Sequence, residues 1–254
     1  MLIRRHLIYD AFHIYIDNEP SYNYIDLIVP KSMDTPQPRF HEYDEVLGRN
    51  GRYRKSMNTF DEVKNTYEIY FLEEKRYEWG SQWRRIKNWL LSFNVDGKKH
   101  KFKESTDLEW FKYISKISID SIDREVITVG KAEVTFIFDP FDYAVSGTKE
   151  YDINDVLFNP YWTCEPVFKV MRNGSHSIFD IYINDNKFTI KNMLYEQPVY
   201  IDVPRRLTYH YSGSLISAHS RAGQEEDCMM VPKMNRVRYT DGYKVKVIPN
   251  WRSV

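Results

Sequence analysis

The chain has 254 residues, room for two domains of ordinary size, each with its own core. At 42% hydrophobic and 28% charged it falls within the globular range and outside the disordered one. Lysine plus arginine number 36, and so do aspartate plus glutamate, so no net field draws the protein to nucleic acid or an anionic membrane.

The first residues, MLIRRHLIYDAFHIYI, are basic and apolar, but His6, Asp10 and His13 interrupt them and no small-residue cleavage site follows. From Tyr9 to Ile16 apolar and polar residues roughly alternate, with Phe12, Ile14 and Ile16 on one face, so the segment reads as a half-buried strand. Pro30, Pro36 and Pro38 each remove a backbone donor and predict an exposed connecting loop. The segment HEYDEVLGRNGRYRKSM places Asn50-Gly51 between two strand-like arms, and that dipeptide tolerates the positive φ of a type I′ turn. A projecting hairpin is the expectation. Tyr67 to Leu72 continues as a strand with Tyr67, Ile69 and Phe71 on one side.

One helix is predicted, from Gln82 to Phe93, with Ser81 as its cap and Trp83, Ile86, Leu90 and Phe93 at helical spacing. Such a stripe is core packing against an open sheet face. After the turn signal Asp96-Gly97 come strands over Lys98–Lys103, Trp110–Ile122 and Glu125–Phe138. The last is the clearest, because Ala132, Val134, Phe136 and Phe138 alternate with polar residues until Pro140.

From Val145 to Asn159 the alternation fades, which predicts a linker or crossing segment, with a boundary nearby dividing residues 1–143 from 144–254. Beyond it, strands over Val167–Met171, Ile178–Ile183, Phe188–Ile190, Val199–Val203, Leu207–Tyr211, Asn235–Tyr239 and Tyr243–Ile248 alternate with turn signals. That spacing predicts a β-sandwich. The fold class is therefore mainly β, with an α+β N-terminal half.

Motifs for chemistry are missing. Gly48–Ser56, GRNGRYRKS, lacks the contiguous Gly-Lys-Ser of a phosphate loop. Seven scattered histidines have no metal-ligand spacing, and no Gly-x-Ser-x-Gly elbow surrounds Ser217 or Ser220 near His219. Cys164 and Cys228 are too few to staple the chain, and Trp162 and Phe168 give Cys164 an apolar setting that suits a buried thiol. Adjacent acids such as Glu73-Glu74 do not establish the spaced pair a glycosidase needs. No catalytic, metal or cofactor residues are assigned, and the chain reads as a non-enzyme. No run of about 18 apolar residues occurs to span a bilayer.

In order along the chain, GR-x-G at Gly48–Gly51, WRRIKNWL at Trp83–Leu90 and FIFDPFDY at Phe136–Tyr143 resemble the phage distal tail protein (Dit) family of siphophages that infect Gram-positive bacteria. FNPYWTCEPVFKV at Phe158–Val170 and IPNWRSV at Ile248–Val254 are looser matches to the same family. The resemblance implies a split-barrel or sandwich-like N-terminal domain with one helix and a hairpin, closing into a hexameric ring, and a galectin-like C-terminal β-sandwich. It implies a virion protein at the distal end of the tail, made in the host cytoplasm, without catalytic residues or cofactors. Its partners would be copies of itself, the major tail tube protein, a tail-associated tip protein and, in some phages, receptor-binding proteins.

Within that frame Arg49, Asn50, Gly51, Arg52, Tyr53 and Arg54 are candidate ring-interface residues, since Arg and Tyr combine hydrogen bonding with contact area. Asp44 and Glu45 on the same hairpin could pair with them within one chain or across copies. The alternative is a carbohydrate-binding β-sandwich, with Tyr161, Trp162, Tyr209 and Tyr211 facing a partner or a sugar; the same aromatics could instead fill the core.

Overall fold

A computed structural model describes residues 12–43, 53–72, 79–126, 129–153 and 155–254. The chain divides into two compact units, Met1–Asp142 and Tyr143–Val254.

The first unit contains β1 (Ile14–Ile16), β2 (Glu19–Pro20), β3 (Leu27–Met33), β4 (Pro38–Tyr43), β5 (Tyr53–Phe60) and β6 (Val63–Leu72). Helix α1 (Trp79–Ser92) follows, then β7 (His100–Glu104), β8 (Asp107–Val126) and β9 (Val129–Phe138). One antiparallel sheet runs in the order β2-β1-β7-β8-β9-β6-β3. Alternation decides which face is buried: Val63, Asn65, Tyr67, Ile69 and Phe71 of β6 point inward beside Ala132, Val134, Phe136 and Phe138 of β9. Helix α1 lays Trp83, Ile86, Trp89 and Leu90 into this same core, with Phe93 packed at its margin. Trp83 stacks on Phe71 at 5.9 Å between centroids.

Two expectations in this unit change. The helix starts by Trp79, so Ser81 lies within its first turn; the first N–H groups there have no intrahelical acceptor, which makes Gly80 and Ser81 tolerable. Pro30 and Pro38 belong to strands instead of a loop: Pro30 lies in the sheet's edge strand β3 beside a register slip at Pro30/Ser32, and Pro38 is the first residue of β4 beside a slip at Pro38/Phe40, positions where a missing donor is tolerated.

The second unit follows β10 (Asp142–Ala144), which pairs with β21 (Arg252–Ser253). Its remaining strands are β11 (Tyr151–Asp152), β12 (Val156–Asn159), β13 (Val167–Arg172), β14 (Phe179–Ile183), β15 (Asn186–Ile190), β16 (Val199–Asp202), β17 (Leu207–His210), β18 (Arg221–Ala222), β19 (Lys233–Tyr239) and β20 (Tyr243–Ile248). They form two five-stranded sheets, β11-β20-β13-β16-β17 and β12-β19-β14-β15-β18. Phe168, Val199, Ile201 and Val247 of the first meet Phe179, Ile181, Phe188 and Val237 of the second in one core. That arrangement is a β-sandwich.

Val145–Asn159, expected within 144–254 as a linker or crossing segment, contains two short strands of this unit. Its strands β11 and β12 pair with β20 and β19, and Gly147 sits so close to Trp251 that a Cβ there would meet the Trp251 nitrogen at 2.5 Å. Strands this short carry too few residues for alternation to show.

Candidate assembly surfaces

Among the described residues strands β4 and β5 pair only with each other, with Tyr43 opposite Tyr53 and His41 opposite Lys55. The expected turn at Asn50-Gly51 lies outside the described residues, as do Arg49 and Arg52. A two-residue turn there would set Tyr43 opposite Asn58, so the arms follow a different register, which also slips between Pro38 and Phe40. Tyr53 and Arg54 open β5, and their backbones face those of Tyr43 and Glu42.

The base of this ribbon is fixed. Arg39 Nε donates to Asp61 Oδ1 at 2.5 Å, the Asp61 N–H donates to Gln37 O at 2.9 Å, and Phe60 meets Phe141 edge-on at 5.8 Å. Arg39 at this base is exposed, and farther out so are Lys55 and Ser56, with Phe40 (43%) and Met57 (46%). Phe40 faces the Ser56 side and Met57 the other, so each face of the ribbon carries an exposed large apolar side chain among the described residues. A two-stranded ribbon exposed on both faces is marginal in water and gains stability by packing on something else.

The outer face of the main sheet contrasts with it. Glu68 accepts from the Tyr70 hydroxyl at 3.0 Å, lies 3.2 Å from Lys131 and 3.9 Å from Lys31, and Lys31 also pairs with Glu133. The Tyr70 hydrogen bond, then Lys131, hold the Glu68 carboxyl below its usual value. Thr135 bridges Thr66 at 3.1 Å and Asp120 at 3.0 Å. These groups satisfy one another within the sheet.

In the second unit Tyr161 (36% exposed) and Trp162 (47%) follow β12. Asn159, fully buried, fixes them: its amide donates to Trp162 O at 2.8 Å and Met230 O at 3.3 Å, while its Oδ1 accepts from the Tyr161 N–H at 3.1 Å. Trp162 N–H also donates to Arg252 O at 2.9 Å, and Arg252 Nε donates to Thr163 O at 2.7 Å. Tyr209 lies on β17, half-buried, stacked on Tyr200 at 5.4 Å and donating to Asp202 at 3.3 Å. Tyr211 follows it and is 76% exposed. The two aromatic pairs stand on different elements, and none of the four belongs to the core. Asn159 lies within the FNPYWTCEPVFKV segment, but its role depends on Met230, 71 residues away.

Both thiols are buried. Burial pushes Cys164 up to about 12 and raises Cys228 further, which leaves neither as a ready nucleophile. Among the described residues, no group of three or more His, Cys, Asp or Glu side chains is arranged to hold a metal ion. No described helix is long and apolar enough to cross a membrane.

Neither a family model nor a curated protein matches the chain. Solved structures do. The Dit protein (gp 19.1) of SPP1, described as a paradigm of the hub adsorption apparatus in phages infecting Gram-positive bacteria, aligns with a TM-score of 0.68 at 9% identity. The alignment covers 96% of this chain and 99% of that one. A chain of the phage P2 baseplate in its activated conformation with Ca aligns with a TM-score of 0.46 at 8% identity, over 96% and 98% of the two chains. Across both units, the chain has a Dit-like fold.

Proposed function

We propose that this chain is a structural hub of a phage tail tip, closing as a hexameric ring that joins the tail tube to the adsorption apparatus. The observation that carries the reading is the fold shared with SPP1 Dit over nearly the full length of both chains. The exposed Phe40 and Met57 on the two faces of the β4–β5 ribbon support it, because a ring repeats one heterologous contact and each copy would cover its neighbour's exposed side chains. Residues 1–143, with the candidate interface Arg49–Arg54, would then be the ring-forming domain, and 144–254 an outward galectin-like sandwich. Its partners are further copies of itself, the tube protein, a tail-associated tip protein and receptor-binding proteins. It acts without catalysis.

Immunogold labelling of purified virions with antibody to this chain tests the placement. Gold at the distal end of the tail supports it, and gold on the head or along the tube rejects it. The exposure of Tyr161, Trp162 and Tyr211 favours a second reading, sugar contact by the C-terminal sandwich, because exposed aromatics can stack on sugar rings. Specific capture on a glycan array that is lost in Trp162→Ala would establish it; an array without signal would remove it.

A further inference from the structure

Strand β12 is the outermost strand of its sheet and pairs on one side with β19. The Val237 N–H donates to Asp155 O at 2.9 Å, so these two residues form a hydrogen-bonded pair. Alternation makes Leu157 with Asn235, and Asn159 with Lys233, the next such pairs. The backbone N–H and C=O groups of Val156 and Phe158 therefore point away from β19, to an edge that no described strand covers.

The side chains alternate as well. Leu157 packs against the core and Asn159, Asn235 and Val237 are buried, which turns Val156, Phe158, Met234 and Arg236 outward. Phe158 stands opposite Met234, and the two are 56% and 60% exposed, beside Val156 at 40%. Proteins blunt open sheet edges with proline, lysine or a bulge. The edge strand β3 of the first unit does this with Pro30, Lys31 and a register slip, and Lys31 is held by Glu68 and Glu133. Strand β12 reads Val-Leu-Phe-Asn, with neither a proline nor a charge. Basic groups border it instead: Arg236 lies on the same outward face and Lys233 at the strand's end, both exposed and neither in an ion pair among the described residues.

We propose that β12 is a docking edge for an extended segment of another protein, apolar at alternate positions and acidic at its flanks. Added antiparallel to β12, such a segment exchanges N–H···O bonds with both Val156 and Phe158 and uses every open backbone group there. Its apolar side chains lie beside Val156 and Phe158 and continue the strip that Met234 extends. Its carboxylates meet Arg236 and Lys233. A second copy would bring further basic groups and no carboxylate on its own β12–β19 face, so the charges favour a different protein.

The test is titration of the full chain with a capped seven-residue probe peptide. It has glutamate at both ends, valine and phenylalanine at the third and fifth positions, and threonine between. Two controls carry lysine in place of glutamate, or N-methyl groups on the valine and phenylalanine nitrogens. The proposal expects saturable heat of binding for the glutamate probe and slowed amide hydrogen exchange at Val156 and Phe158. Both controls should bind at least about tenfold more weakly, equivalent to about 1.4 kcal/mol. Val156→Pro removes an edge donor without touching the ladder to β19, a change tolerated at the first residue of a strand, and should weaken the probe by a similar factor. Phe158→Lys, at an exposed position, should do the same, with thermal unfolding confirming that each variant is folded. Absence of saturable binding, a control that binds as tightly, or folded variants with undiminished affinity would each overturn the assignment. Self-association of the full chain that is lost in Val156→Pro would give the edge to a second copy and overturn it too. Such a failure leaves the hub reading untouched, since that rests on the fold.

Discussion

The ring of Phe71 lies over Gly130, the residue directly opposite it on β9: a Cβ built at Gly130 would meet Phe71 Cζ at 2.1 Å. Strand interiors disfavour glycine, so this one marks a place where an aromatic ring occupies the side-chain position of its neighbour. Gly130→Ala forces the ring from its stack on Trp83 and should destabilise the chain by about 1–3 kcal/mol as overpacking does. Denaturant unfolding measures the loss, and Phe71→Leu added to Gly130→Ala should recover part of it. A Gly130→Ala variant as stable as the parent would mean the ring has another place to go.

Leu90 is buried in the first unit's core. Leu90→Ala should cost about 2–5 kcal/mol by leaving a cavity. A loss below about 0.5 kcal/mol, the scatter of surface changes, would show that the helix does not seal the sheet.

His100 is buried with one carboxylate on each side, Nδ1 to Asp17 at 2.6 Å and Nε2 to Asp96 at 2.8 Å, its side chain 6% exposed. Burial is the largest influence and opposes the charge, but the hydrogen bonds and charges of the two aspartates together outweigh it and raise the imidazolium above the ordinary 6.5. Carboxylates only accept, so both ring nitrogens donate in this arrangement. A raised folded value means the contribution to stability is complete below about pH 6.5 and fades as pH climbs through the folded value. The urea midpoint should fall across that window in the parent and stay flatter in His100→Gln. An NMR titration placing the His100 ring below its ordinary value would contradict the bridge.

The thiols make a further check. Cys164 and Cys228 should resist a thiol reagent in the native state at mildly alkaline pH and react together on unfolding. Rapid native reaction of either would show an open path to it.

Local pattern explains what the sequence could and could not reveal. Alternation along β9 and the stripe of α1 were visible because each depends on neighbours a few residues apart. Trp89 escaped because it sits at the flank of the Trp83, Ile86, Leu90 and Phe93 stripe, about 100° from Leu90 in helical projection. The His100 bridge joins residues 83 apart, and the Asn159 knot depends on Met230, so no window along the chain contains either. The arms of the β4–β5 ribbon were visible as strands, but their register depends on an irregularity between Pro38 and Phe40 that periodicity cannot place. Of the aromatic candidates, composition supplied the residue types, whereas exposure depended on which loop held them.

The ring account places the ribbon between copies. Replacing Leu47–Tyr53 by a minimal turn should leave the chain folded, with an unchanged far-ultraviolet spectrum and cooperative unfolding, while abolishing self-association and tube attachment. Normal assembly by the shortened chain would move the contact to the sheet or the helix.

The most direct measurement is the mass of the purified full chain by light scattering across concentration, with negative-stain images of the same samples. The account predicts a six-copy particle that appears as concentration rises and images as six-fold rings with a central channel. A chain that stays monomeric at every concentration and is still monomeric when mixed with tail tubes, or that closes with another symmetry, would contradict it.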